Sequence, residues 1–278
     1  MNAAAKTPVV VCGFRLIQLV AHILSGVVRA GFILPWLGPR KRAEQVRRWS
    51  KRLLDVLNVR LVAAGAVPGM SARSMLLVAN HTSWLDICVL NAVCPGRAVA
   101  KSDVRGWPIF GWLAARAGSL FIQRWRMQDV GRVRSAMAKA LRRGERGILF
   151  PEGTTTDGTS MAPFRTGLIQ AAVDSRAAVV PVAIRYRRHD GQPDSPAVFI
   201  GDMTFVESLM RVLRCPVFTV EAVFAQPLPS EERSRRELAA LARASIEEML
   251  SQPPVWRPAF QPDGQLSLFP SWETETAI

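Results

Sequence analysis

The sequence predicts an α/β protein, a layered sheet with flanking helices, preceded by N-terminal amphipathic membrane-associated helices. Three observations predict it. From about residue 59 short β-rich runs alternate with helical patterns, as a largely parallel sheet requires. Residues 1–58 instead read as two successive helices, one apolar and one basic. Residues 251–278 carry several prolines, two tryptophans and little periodicity, so an extended or disordered tail is expected there. The resulting division is 1–58 for the membrane-associated helices, 59–250 for the α/β domain and 251–278 for the tail.

The first helix lies within the mostly apolar stretch 8–38. Arg15, Gln18, His22, Ser25 and Arg29 recur there every three or four residues and so share one helix face. A plain transmembrane helix needs about 20 apolar residues and disfavours a central charge. A helix lying in the interface accommodates a cationic stripe. Monotopic insertion is therefore expected, with a single span as the alternative. The apolar run before Arg15 is too short for a secretory signal. Pro39-Arg40-Lys41-Arg42, Arg47, Arg48, Lys51 and Arg52 follow, with Val46, Trp49, Leu53, Leu54 and Leu57 at helical spacing. This second helix is expected to turn its basic face to an anionic membrane surface.

Strands are expected at Val59–Val62, Met75–Ala79, Ala98–Ala100, Leu120–Gln123, Gly147–Phe150, Ala178–Ile184, Ala197–Ile200 and Val217–Val223. Helices are expected at Trp84–Val93, Pro108–Ala117, Val130–Arg143, Gly167–Val173 and Glu232–Leu250.

Lys plus Arg outnumber Asp plus Glu by 36 to 22, a formal charge of +14 that favours polyanionic partners. An apolar fraction of 49% excludes global disorder. Cys12, Cys88, Cys94 and Cys215 form no CxxC pair and read as reduced thiols. The histidines, His22, His81 and His189, have no zinc-ligand spacing, so neither metal nor cofactor is expected. No GxxxxGK[ST], GxGxxG or GxSxG occurs. A basic nucleic-acid-binding module would explain the charge but not the apolar N-terminus, and no reader motif is present. No nucleic-acid partner is expected.

Asn80-His81-Thr82-Ser83-Trp84-Leu85-Asp86 follows a strand and opens a helix. Strand C-terminal ends are where open α/β sheets place their sites. A His just before a helix and an Asp one turn inside can meet. The carboxylate would then fix the imidazole tautomer, leaving the other nitrogen to take a proton from a hydroxyl. Without a nucleophile elbow, an external alcohol is the simpler source of that hydroxyl. Lys101 and Arg124 also follow strand runs, and two cations on one sheet edge would make an anion pocket. Phe150-Pro151-Glu152-Gly153-Thr154 closes another strand, with Glu152 as a candidate acceptor for a substrate hydroxyl and Gly153 giving a tight, approachable backbone. Arg165 precedes a helix start at Gly167. Val179–Ile184 is an apolar strand that could wall an acyl pocket.

These segments, in this order over residues 75–185, resemble the glycerolipid acyltransferase family, in particular bacterial 1-acyl-sn-glycerol-3-phosphate acyltransferases. The resemblance implies that family's fold. It implies His81 as general base and Asp86 as its partner, from the H-x4-D motif. Arg124 and Lys101 match residues that bind the acceptor phosphate, and Phe150 through Thr154 matches the acceptor-binding F-P-E-G-T motif. Val179 through Ile184 matches the fourth, hydrophobic motif. It further implies an acyl-carrier protein or acyl-CoA donor, a lysolipid acceptor expected to be 1-acyl-sn-glycerol-3-phosphate, giving phosphatidic acid, with lyso-ornithine lipid as the alternative, and a place on the cytoplasmic face of a bacterial-type inner membrane. One departure bears on the acceptor. Members acting on lysophosphatidic acid often read E-G-T-R-S, where this chain has Thr155 and Thr156. Arg165 could substitute for the missing cation. Otherwise the acceptor lacks the phosphate, as in relatives that acylate lyso-ornithine lipid.

Overall fold

A computed structural model describes residues 7–69, 72, 74–123, 126–188 and 195–255. Arg124 and the tail beyond 255 lie outside these residues.

Helix α1 spans Val9–Val28 and runs into a π turn, Arg29–Ile33, and a 3-10 turn, Leu34–Trp36. Together Val9–Trp36 is long and apolar enough to cross a membrane. Arg15 and His22 of the polar stripe, however, point into the protein. Arg15 donates to the carbonyls of Leu213, Cys215 and Pro216 at 3.3, 2.8 and 2.9 Å. His22 stacks on Trp49 and bonds its carbonyl at 3.0 Å, and Trp49 Nε1 donates back to the His22 carbonyl. A Cβ on Gly26 would lie 2.6 Å from Trp49 Nε1, so only glycine lets the helices approach here. The outward face carries Val10, Phe14, Ile17, Val20, Leu24, Val28 and Phe32, all exposed. This is the reverse of a water-facing amphipathic helix, and it suits contact with lipid.

Helix α2, Pro39–Val56, has Pro39 in its first turn, where a missing N–H is harmless. It buries Ser50, Leu53, Leu54 and Val56 and leads into β1, Val59–Gly65. The remaining strands are β2 Met75–Ala79, β3 Arg97–Lys101, β4 Leu120–Ile122, β5 Arg146–Leu149, β6 Ala178–Arg188 and β7 Phe218–Phe224. Their order across the sheet is β1-β7-β6-β2-β5-β3-β4. All described pairings are parallel except β6 with β7. The central strand β2 is wholly buried, as its unbroken apolar run demands.

Further helices are α3 Asp86–Val93, α4 Ser102–Arg105, α5 Phe110–Ala117, α6 Met127–Arg142, α7 Gln170–Ser175, α8 Phe205–Arg214 and α9 Arg235–Ser251. The pleat of β2 sorts them into two layers. Met75, Leu77 and Ala79 pack with α2, α3 and α8, while Leu76 and Val78 pack with α6, α7 and α9. On β5, a Cβ at Gly147 would meet Met137 Sδ at 2.6 Å and Leu76 Cδ1 at 2.7 Å, so glycine lets α6 approach.

Two expectations are corrected. Ala197–Ile200 forms no strand; its apolar residues fill a loop whose Phe199 N–H donates to the Thr82 carbonyl at 2.9 Å. The helix after His81 begins at Asp86 rather than Trp84, because Asp86 turns its side chain back onto the preceding N–H groups. The short helices α4 and α8 were not anticipated.

Candidate active site

The C-terminal ends of β2, β3 and β5 lie along one sheet edge and carry His81, Lys101 and the Phe150–Thr154 turn. β2 ends at Ala79, but Asn80 adds one more rung. Its amide donates to the Ile184 carbonyl at 2.9 Å and accepts the Ile184 N–H at 2.7 Å. This fixes where the chain leaves the sheet and where His81 stands.

His81 Nδ1 lies 2.7 Å from Asp86 Oδ2. The same oxygen accepts the Thr82 and Ser83 N–H groups at 2.8 and 2.9 Å. Asp86 Oδ1 accepts the Tyr186 hydroxyl at 2.7 Å. Four donors thus converge on a carboxylate that is 0% exposed, which offsets the cost of burying it. Since a carboxylate only accepts, Nδ1 carries the proton and Nε2 holds the free lone pair. Phe150 stacks on the imidazole with centroids 4.2 Å apart and fixes the ring plane.

Tyr186 follows from the period of β6. Val182, Ile184 and Tyr186 share a face, and Tyr186 projects two residues beyond the Asn80 rung toward α3. Burial and the neighbouring Asp86 push its phenol well above the usual range. This was the functional residue that sequence reasoning missed. Alternation from Ile184 was the signal available.

Glu152 makes contacts that its place in the sequence did not show. It is buried, and its two oxygens accept the His81 N–H at 2.7 Å and the Ala162 N–H at 2.8 Å. These two bonds anchor the backbone of His81. Burial raises its carboxyl above the usual glutamate range, against the pull of those two N–H groups. Gly153 takes φ 76°, a left-handed turn that brings Thr154 to the site. The Thr156 N–H closes the turn on the His81 carbonyl at 2.8 Å.

His81 opens onto a cavity of about 420 Å3. Trp49, Leu53, Trp84, Ile87, Trp107, Phe110 and Phe205 give it apolar walls, and Gly26, Arg29, Ala30 and Leu34 of the N-terminal helix close one side. Thr154, Thr155 and Lys101 also line it. The strand Val179–Ile184 does not; it is buried in the sheet between the two helix layers. Gly153 and Arg165 do not line the cavity either, and Arg165 is exposed beyond the turn. Arg124 lies outside the described residues. A larger hollow of about 710 Å3, at the opposite ends of β3 and β5, is lined by Arg40, Arg97 and Arg143 and holds none of these site groups.

Residues 58–185 match the protein family described as Acyltransferase. A lyso-ornithine lipid O-acyltransferase of Pseudomonas aeruginosa is 38% identical over 84% of this chain and 92% of its own. A 1-acyl-sn-glycerol-3-phosphate acyltransferase of Neisseria gonorrhoeae is 31% identical over 70% of this chain and 77% of its own. The fold is that of a solved structure, the 1-acyl-sn-glycerophosphate (LPA) acyltransferase PlsC of Thermotoga maritima. It matches with a TM-score of 0.59 and 19% identity, over 86% of this chain and 99% of the other. With a histidine–aspartate pair at the end of a parallel strand and these relatives along most of its length, the chain belongs to the glycerolipid acyltransferase family and is a lysolipid O-acyltransferase of lipid biosynthesis.

Proposed function

We propose that His81 is the general base of acyl transfer to a lysolipid hydroxyl, with Asp86 as its orienting partner. The observation that carries this reading is the 2.7 Å His81–Asp86 contact beside an apolar cavity. The alcohol O–H gives its proton to His81 Nε2 as oxygen attacks the thioester carbonyl. The tetrahedral oxyanion collapses, the C–S bond breaks, and the imidazolium returns the proton to the departing thiolate. Thr154 and Thr155 line the cavity, and their N–H groups make no hydrogen bond to a described residue. They are the expected oxyanion donors. The apolar cavity holds the acyl chain, and no step needs a metal.

The preferred acceptor is lyso-ornithine lipid, whose headgroup carries a carboxylate in place of a phosphomonoester. Thr155 and Thr156 in place of a cationic turn favour it, as does the similarity to the Pseudomonas enzyme. Lysophosphatidic acid is the second reading, favoured by the Neisseria relative. The donor is acyl-carrier protein or acyl-CoA, and the basic surface suits the acidic carrier. The chain works at the cytoplasmic face of a bacterial-type inner membrane, with α1 lying in the interface. A thiol-release assay with both lysolipids, each with acyl-CoA and acyl-carrier protein, tests the reading. Release with neither acceptor would end it.

A further inference from the structure

Arg15 and His22 of the polar stripe hold α1 to the rest of the protein, and Arg29 at its end does not. Arg15 and His22 bond to carbonyls outside α1, while Ser25 donates to the His22 carbonyl within it. The Arg29 guanidinium makes no hydrogen bond or ion pair with a described residue. Arg29 is the first residue of the π turn, a local widening of the helix that often marks functional positions. It is exposed, yet it lines the same cavity as His81. An exposed residue that also lines a cavity stands at its rim.

Among the described residues, the Lys and Arg side chains lining this cavity are Arg29 and Lys101, and both are exposed. Asp103 is the acid among the lining residues, and it accepts from the adjacent Ser102 hydroxyl at 3.3 Å. Arg29 also sits among Val28, Phe32 and Ile33, which are exposed on the apolar outer face. A guanidinium at such a surface is unfavourable in lipid unless an anion meets it. The partner must reach the rim from the bilayer side, because α1 presents that side to lipid. A lysolipid acceptor arrives through the membrane, whereas a soluble thioester donor comes from water.

We propose that Arg29 is a substrate-binding residue that, with Lys101, brackets the anionic group of the acceptor lipid at the rim of the cavity. The recognised chemistry is a carboxylate or phosphate fixed to a lysolipid. The proposal rests on the lysolipid reading above, and it makes the membrane helix part of the acceptor site.

The test compares wild type, Arg29→Gln, Arg29→Lys and, as an equal loss of charge elsewhere, Lys41→Gln. Acyl-CoA thiol release is followed against lysophosphatidic acid and lyso-ornithine lipid in neutral phosphatidylcholine vesicles. Losing a charge-assisted hydrogen bond should raise the acceptor KM of Arg29→Gln about tenfold or more. Its kcat and donor KM stay near wild type, Arg29→Lys recovers most of the loss, and Lys41→Gln is unchanged. Whichever lysolipid shows the KM effect identifies the source of the anion. An unchanged acceptor KM in Arg29→Gln overturns the proposal, as does a rise confined to the donor. So does an equal loss of sedimentation with anionic vesicles, which would assign Arg29 to bulk lipid phosphate. Wild type inactive on both lysolipids would remove the function reading and this one together; an active wild type with an indifferent Arg29→Gln removes this one alone.

Discussion

Tyr186 Oη lies 2.7 Å from Asp86 Oδ1 and ties strand β6 to the first turn of α3 across 100 residues of chain. The bond holds the carboxylate from the side opposite His81. Tyr186→Phe should lower kcat about tenfold with little change in KM, the usual scale for a partner that orients a catalytic group. Stability should fall by about 1–3 kcal/mol through the lost hydrogen bond to a charged acceptor. Steady-state kinetics and thermal unfolding check both. Because this is the chain's single tyrosine, ultraviolet titration reports on it alone. No phenolate should appear near pH 10 while the protein stays folded, since burial and Asp86 hold the phenol neutral.

Asp86→Asn keeps the shape but places an amide among four donors. Its NH2 group only donates, so either the Tyr186 hydroxyl must turn to accept from it or the His81 tautomer must flip, and in both cases the negative charge beside the imidazole is lost. Turnover should fall by about 10^3- to 10^4-fold, as for other orienting carboxylates. His81→Ala should abolish transfer. Both variants should still sediment with vesicles, because α1 is untouched.

Glu152 should separate stability from activity as pH falls. Its folded value lies above the ordinary 4.5, so the fold binds this proton more tightly than the unfolded chain does. Its stabilising contribution is full below 4.5 and is lost as pH rises through the higher folded value. Activity runs the other way, since a protonated Glu152 offers one good acceptor to the two N–H groups that hold His81 and Ala162. The Tm difference between wild type and Glu152→Gln should shift in favour of wild type on acidification through this window. The acid limb of kcat/KM should be steeper in wild type than in the variant, which cannot titrate there.

Arg15→Met removes three hydrogen bonds between α1 and the end of α8. Amide hydrogen exchange in the first half of α1 should quicken in the absence of lipid, while β2 and β6 stay protected. Unchanged exchange in α1 would show that the His22–Trp49 contacts and apolar packing hold the helix without Arg15.

Ala30 is buried on the cavity wall, so Ala30→Phe should shorten the usable cavity. Long-chain thioesters should lose rate relative to short ones. The expected scale is about 0.8 kcal/mol, or roughly fourfold, per methylene excluded. A chain-length series of acyl-CoA measures it.

The His81–Asp86 pair was legible because both partners sit in one local turn, and strand-then-helix patterning places that turn at a sheet edge. The parallel sheet was legible for the same reason, from alternation. Tyr186 was not, because its reach depends on how far β6 extends past the end of β2, a register no local pattern encodes. The bonds of Glu152 to the His81 and Ala162 N–H groups were not legible, since sequence marks an acid at a turn without showing which backbone groups it meets. Ala197–Ile200 has strand-like composition, yet its described backbone contact runs to a loop carbonyl. The polar stripe on α1 was legible as a stripe, and its inward orientation came only with the packing against Trp49 and α8.

The glycine contact between α1 and Trp49 puts the helix with the exposed apolar face, proposed to meet lipid, directly against the cavity wall. Attachment to the bilayer and fit to the substrate then fall on the same side chains. A soluble version made by trimming the anchor would be left with an open-sided pocket. During divergence of such enzymes, a change that tunes membrane affinity at Gly26, Arg29 or Ala30 would also alter which lipids are turned over, so the two properties would be inherited as one trait.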